Sequence, residues 1–239
     1  AKKAKVPVCV HLDHGETLDY VCKALNIGFT SVMYDGSILP FEENTANTQM
    51  VVSFAKQTGA SVEAEIGCMG KRETGSGSAG VGADPDKIYT DPDLAKEFVE
   101  ATGIDALACS FGTTHGVYIT KPKLDFDVVR NVRKKVNIPV VMHGGSGVSP
   151  EEFRTAIESG VRKVNYYTYM AIAGGEEIAS QFRMGCIPVE KNGKKYKYCY
   201  SLVESAKDTP MMYHDIVQWG TAAMKENCKK AMEIFAMRK

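Results

Sequence analysis

Four of the chain's five histidines sit in three short motifs that close or follow apolar runs. His14 lies in His-Leu-Asp-His-Gly (His11 to Gly15), His115 in Ser-Phe-Gly-Thr-Thr-His-Gly (Ser110 to Gly116), and His143 in Val-Met-His-Gly-Gly-Ser-Gly (Val141 to Gly147). Imidazoles delivered from three such places make a three-nitrogen metal site with positions left open for substrate, the pattern of a catalytic zinc. His-Leu-Asp-His-Gly alone is better explained by a histidine that caps a strand by hydrogen bonding. The recurrence at three equivalent positions, out of five histidines in all, favours one shared site. Alternation along a strand sends His11, Asp13 and Gly15 to one side and Leu12 and His14 to the other, so a twist at the strand end is needed to bring Asp13 and His14 together.

The turn beginning at Gly144 offers a second chemistry. Small residues let backbone N–H groups converge on an anion, and the helix start at Ser149-Pro150-Glu151 adds a positive dipole end. A Gly-Gly-Ser-Gly run is also a common tight turn. Its place just after a strand and beside His143 points to a phosphate cradle.

Elements that could hold these residues recur with a βαβ rhythm. Apolar, strand-like segments are expected at Val6–Leu12, Phe29–Tyr34, Ala60–Ile66, Ile104–Cys109, Ile138–Met142 and Val161–Asn165. Helices are expected at Thr17–Ile27, Phe41–Thr58, Asp91–Thr102, Asp125–Lys135 and Pro150–Ser159, several opening on a capping residue and most ending near a glycine. Strands joined in this way run parallel. His14, Glu65, His115 and His143 each fall at the C-terminal end of a different strand, which selects a TIM (β/α)8 barrel over an open doubly wound sheet. Six βα units are visible, so the first two units of a barrel are expected to be missing from this chain. The expected organisation is one domain over residues 1–239, N-terminally incomplete, with 176–239 as an irregular and helical extension. The glycine-rich segment Gly70–Pro85 has the composition of a lid loop.

Composition narrows the partners. Lys plus Arg and Asp plus Glu both number 29, which gives no basic field for nucleic acid or an anionic membrane. The apolar runs are strand-sized, well short of a membrane span of about 20 residues. Seven cysteines without paired spacing suit reduced thiols, and the start of the chain lacks a signal-peptide pattern, so a cytoplasmic location is expected.

The ordered series HLDHG, EAEIG, GTTHGVY, HGGSG and a Lys-Val-Asn strand closing on Thr resembles the class II, zinc-dependent fructose-bisphosphate and tagatose-bisphosphate aldolases, from about Val6 to about Gly174. The resemblance implies reversible cleavage of fructose 1,6-bisphosphate to dihydroxyacetone phosphate and glyceraldehyde 3-phosphate through a zinc-stabilised enediolate. It implies His14, His115 and His143 as ligands of a catalytic Zn2+ and leaves a monovalent cation open as a second cofactor. Asp13 matches the general acid/base that exchanges a proton with the C4 hydroxyl, and Glu73 falls where some members carry a catalytic loop glutamate. Asp35 and Glu65 match acidic residues that hold the metal in an alternative, buried position, with strand-end hydrogen bonding as the plainer role. Gly116, Gly144, Ser146 and Thr168 match the phosphate site, and Asn165 matches the asparagine near the bond being cleaved.

This sequence departs from the family in three places. Asn165-Tyr166-Tyr167-Thr168-Tyr169 stands where fructose-type members read Asn-x-Asp-Thr-Asp, with Ala at the middle position in tagatose-type ones; Tyr167 matches neither choice. Lys121 stands three residues after Tyr118, where the family often has Lys directly after the Tyr. The family's first two strands supply an Asn and a Ser to the pocket. A tagatose 1,6-bisphosphate aldolase, an aldolase for another phosphorylated ketose, and a non-catalytic sugar-phosphate-binding relative therefore stand as alternatives. The expected partners are a sugar bisphosphate and copies of the same chain in a homodimer or homotetramer, with Arg238 and the helix from Tyr213 as candidate contacts.

Overall fold

The strand-helix rhythm appears as eleven alternating elements: β1 (His11–Gly15), α1 (Leu18–Asn26), β2 (Ser31–Tyr34), α2 (Phe41–Thr58), β3 (Ser61–Ile66), α3 (Pro92–Thr102), β4 (Ala106–Cys109), α4 (Phe126–Lys135), β5 (Val140–Met142), α5 (Pro150–Ser159) and β6 (Val161–Val164). This computed structural model describes residues 3–67, 89–113, 123–145, 147–181 and 213–237, and the backbone of 184–191 and 194–201. The Gly70–Pro85 segment lies outside the described residues. Contacts divide the chain into two compact units, Ala1–Tyr166 and Tyr167–Lys239.

In the first unit the side chains of Thr17, Asp91, Asp125 and Ser149 cap α1, α3, α4 and α5 by accepting backbone N–H groups. The six strands form one parallel sheet in the order β1-β2-β3-β4-β5-β6, each pairing with its sequence neighbour. One face packs under the helices: Val32, Val62, Leu107, Val140 and Met142 are buried with Val21, Val51, Phe98, Val129 and Ala156. Each such Val, Leu, Phe or Met side chain contributes about 1.5–3 kcal/mol.

The other face is where the register becomes informative. Met33, Glu63 and Ala106 lie abreast on β2, β3 and β4, and Glu65, Ala108, Val141 and Lys163 lie abreast on β3 to β6. Side chains from the sheet's two edges meet across this face. His11 on β1 lies 3.1 Å from Lys163 on β6, and Asp13 lies 2.7 Å from Asn165 just past β6. In a flat sheet, five interstrand spacings of about 4.8 Å would part these strands by roughly 24 Å. The sheet is therefore curved into a half-barrel, with the ionisable residues on its concave face.

Polar side chains fix the strand ends to the connections around them. Asn44 of α2 donates to the Glu65 carbonyl at 2.9 Å, Thr90 bridges the Ile66 carbonyl and the Ser110 N–H, and Asp105 accepts the Val62 N–H at 2.8 Å. At β1 the expected strand Val6–Leu12 is displaced toward the C-terminus. Val6, Val8 and Val10 are exposed, and the ladder with β2 begins at His11 opposite Ser31. Pro7 has no N–H to give a ladder, and the Val10 N–H goes to the Thr30 hydroxyl.

The second unit contains α6 (Thr168–Gln181), the antiparallel pair β7 (Met184–Lys191) and β8 (Lys194–Ser201), and α7 (Tyr213–Phe235). The tail from Glu176, expected to be irregular, thus completes a helix and forms a hairpin before the expected terminal helix. α6 and α7 pack closely at two glycines: a Cβ on Gly174 would stand 2.8 Å from Met224 Cγ and 3.2 Å from the Gly220 carbonyl.

Gly15 is the tightest point of the first motif. A Cβ there would lie 2.5 Å from Val21 Cγ2 and 2.7 Å from the Met33 carbonyl oxygen, a backbone atom that cannot swing aside. Gly15→Ala is expected to destabilise the fold by about 1–3 kcal/mol, the usual range for overpacking. A lowered urea midpoint with unchanged slope would show it; an unchanged midpoint would contradict the packing described.

Candidate metal centre

The first motif reaches the concave face through an irregularity in β1. Leu12 pairs with Val32 and Gly15 with Tyr34, so Asp13 and His14 together oppose the single residue Met33. This is a β-bulge, and His14 absorbs it with a positive φ of 52°. Simple alternation would have parted Asp13 from His14; the extra residue places a ligand atom of each within 4.8 Å of one another and of His143.

The imidazoles are held from behind. His14 Nδ1 lies 2.9 Å from Asp35 Oδ2, and Asp35 in turn accepts both the hydroxyl and the backbone N–H of Ser37. Burial works against ionisation of Asp35, but the hydrogen bonds from His14 and Ser37 outweigh it and hold the carboxyl well below the usual carboxylate range. His143, fully buried just after β5, lies with Nε2 2.7 Å from Glu63 Oε1. Burial again opposes ionisation of Glu63, yet the His143 hydrogen bond and the Lys163 charge bring its pKa down to about 2.

With the outer nitrogen of each ring facing a carboxylate, the inner nitrogens, His14 Nε2 and His143 Nδ1, carry the lone pairs. They face each other at 3.0 Å. Two nitrogens bound at about 2.0–2.1 Å to one tetrahedral zinc would stand roughly 3.3 Å apart. The donor set thus fits a shared divalent cation. A second group, His14, Asp35 and Glu65, also brings its ligand atoms within 4.8 Å of one another, deeper in the half-barrel, where Glu65 is 1% exposed.

Asn165 closes the site from β6. Its Nδ2 donates to Asp13 Oδ1 at 2.7 Å and lies within 3.4 Å of both ring nitrogens of His143. Asp13 itself keeps half of its side-chain surface exposed. Gly144 follows His143 with φ 66°, and the turn leads into α5, whose first N–H groups are engaged by a capping box of Ser149 and Glu152. Of the remaining expected site residues, Thr168 is the first residue of α6 in the second unit. Glu73, His115, Gly116, Lys121 and Ser146 lie outside the described residues, as does Arg238.

The whole chain, residues 1–239, matches the family model described as fructose-bisphosphate aldolase class-II. The chain belongs to this class II aldolase family. The chain is 44% identical over 173 residues to a protein of Escherichia coli K12 described as uncharacterized, YdjI, covering 72% of this chain and 60% of that one. It is 42% identical over 173 residues to a fructose-bisphosphate aldolase of Staphylococcus aureus Mu50, covering 72% and 58%. The crystal structure of the YdjI aldolase superposes with a TM-score of 0.73 at 33% identity, covering 98% of this chain and 71% of that one. The chain spans about three fifths of the length of these curated relatives.

Reading the sequence missed Glu63, Lys163 and the part played by His11. Glu63 stands two residues before Glu65, so the period of two puts both on one face. That spacing was visible in the sequence. Lys163 is one of two charges in β6, Val-Arg-Lys-Val, where a parallel strand is usually a near-continuous apolar run, itself a sign of a partner.

The Asp35 carboxylate stands behind His14 at its outer nitrogen. Asp35→Asn is expected to weaken Zn2+ binding about 10–100-fold, the usual effect of losing a carboxylate behind a ligating imidazole. Competition with a chromophoric chelator measures it; unchanged affinity would remove Asp35 from the metal's support.

Proposed function

We propose that this chain is a metal-dependent fructose 1,6-bisphosphate aldolase, with its six strands belonging to a (β/α)8 barrel and its site at the strands' C-terminal ends. The observation that carries the reading is Asp13, held by Asn165 and half exposed beside the facing nitrogens of His14 and His143. A retro-aldolase uses a carboxylate poised there for proton transfer, whereas a binding protein would need it only as a metal ligand.

In this reading His14 and His143, with His115, hold Zn2+. Bound there, the metal supplies Lewis-acid polarisation of the ketose carbonyl. Asp13 accepts the proton of the C4 hydroxyl as the C3–C4 bond breaks, which releases the aldehyde and leaves the electron pair on the dihydroxyacetone phosphate fragment. Asn165 positions that carboxylate and reaches the ketose beside the cleaved bond. Glu73 is the proposed loop acid that returns a proton to the fragment. Asp35 and Glu65 hold the metal's alternative inner position.

In this reading the phosphate is bound at the turn beginning at Gly144, with Ser146, Gly116, Thr168 and Lys121 as the further residues that the family resemblance implies. The capping box of Ser149 and Glu152 already uses the start of α5, so the turn rather than the helix end is the anion's place. Tyr167, an exposed side chain where the family chooses between sugars, supports a second reading in which tagatose 1,6-bisphosphate or another phosphorylated ketose is preferred. No helix of the described residues is long and apolar enough to cross a membrane, and the four cysteines described are free thiols, which suits a cytoplasmic enzyme. A homodimer or homotetramer is the proposed assembly.

Following triose phosphate release from fructose 1,6-bisphosphate with a coupled assay tests the reading. A chelator should abolish cleavage and Zn2+ or Co2+ should restore it. Asp13→Ala should keep its metal while turnover drops by a factor of about 100 or more. Loss of metal with the Asp13 side chain would instead make it a ligand and refute the acid/base role.

A further inference from the structure

Behind His143 lies a chain of polar side chains that the proposed reaction does not use. Glu63 Oε1 lies 2.7 Å from His143 Nε2, and its other oxygen, Oε2, lies 2.6 Å from Lys163 Nζ. The ammonium is 3.1 Å from His11 Nε2, and His11 Nδ1 is 2.8 Å from the Ser31 hydroxyl. Burial and the Lys163 charge push the His11 pKa down, so a neutral ring accepts from the ammonium through Nε2 and donates to Ser31 through Nδ1. The Glu63 side chain is only 3% exposed. A carboxylate so placed needs a counter-charge, and Lys163 on β6 provides one within hydrogen-bond distance.

We propose that Glu63 and Lys163 are a positioning pair for His143, fixing its ring in the Nε2–H tautomer and aiming Nδ1 at the metal. This rests on the reading of His143 as a metal ligand.

The geometry gives each member one task. Glu63 has two oxygens, and each is committed to a different partner, so the carboxylate can rotate away from neither. Lys163 holds Glu63 from the far edge of the sheet. Because its other contact is His11, three residues before His14, the same ammonium links the strand carrying His14 to the carboxylate that orients His143. A merely structural ion pair would close the half-barrel and contribute to stability, but would leave the metal's coordination indifferent to its removal. A positioning pair would not.

The test uses the full chain and Co2+, whose visible absorption reports ligand geometry. Glu63→Gln with Lys163→Met removes both charges together and leaves no uncompensated ion in the half-barrel. In the folded double variant the Co2+ dissociation constant is expected to rise about 10-fold or more, with a shifted visible band. An unchanged constant and band would overturn the proposal while leaving the metal site intact. Failure of the metal reading looks different: His143→Ala would itself bind Co2+ as tightly as the unaltered chain.

A second measurement decides the matter if the double variant does not fold. In the Zn2+-loaded, 15N-histidine-labelled chain, the His143 resonance, assigned by its loss in His143→Ala, should show the Nε2–H tautomer. The Nδ1–H tautomer would overturn the proposal.

Discussion

Contact between the two edges of a curved parallel sheet is the constraint on which the site depends. Asp13 and His11 come from β1, Asn165 and Lys163 from β6 and the residues just after it, and they meet at 2.7 Å and 3.1 Å. Curvature alone does not place them. The bulge at Asp13 and His14 turns a strand that would present alternate residues into one that presents two adjacent ones, and the space Gly15 leaves for Val21 and Met33 lets the strand continue beyond it.

The concave face is an unfavourable place for charge, and the arrangement answers that locally. Glu63 ionises because it has His143 and Lys163, and Asp35 because it has His14 and Ser37. Cys109 shows the contrary case: burial and the nearby Glu65 push its thiol up to about 12. The carboxylates therefore do two things at once. They satisfy their own charge and they set which nitrogen of each imidazole faces inward.

Much of this was legible in the sequence, because apolar runs separated by capped helices specify parallel strands, and the ends of those strands pointed to His14, Glu65 and His143. The start of β1 was not legible: Val6, Val8 and Val10 alternate as a strand would, and only the missing donor at Pro7 and the Thr30 hydroxyl reveal that the ladder begins later. The bulge was hidden for a related reason, since alternation assumes one residue opposite one. The hairpin of β7 and β8 left a signal that was overlooked: Lys-Tyr-Lys-Tyr-Cys-Tyr alternates strictly, and Asn192-Gly193 separates the paired Lys191 and Lys194, a strong hairpin signature. Glu63 and Lys163 open the EAEIG and Lys-Val-Asn runs; what marks them is a charge on the face of the sheet that also carries Glu65.

In the proposed site one metal ion is shared by histidines from the ends of β1 and β5. Anomalous diffraction at the zinc edge from crystals of the Zn2+-loaded protein tests it most directly. A peak about 2.0–2.1 Å from both His14 Nε2 and His143 Nδ1 is expected. A peak bonded to neither histidine would rule the shared site out.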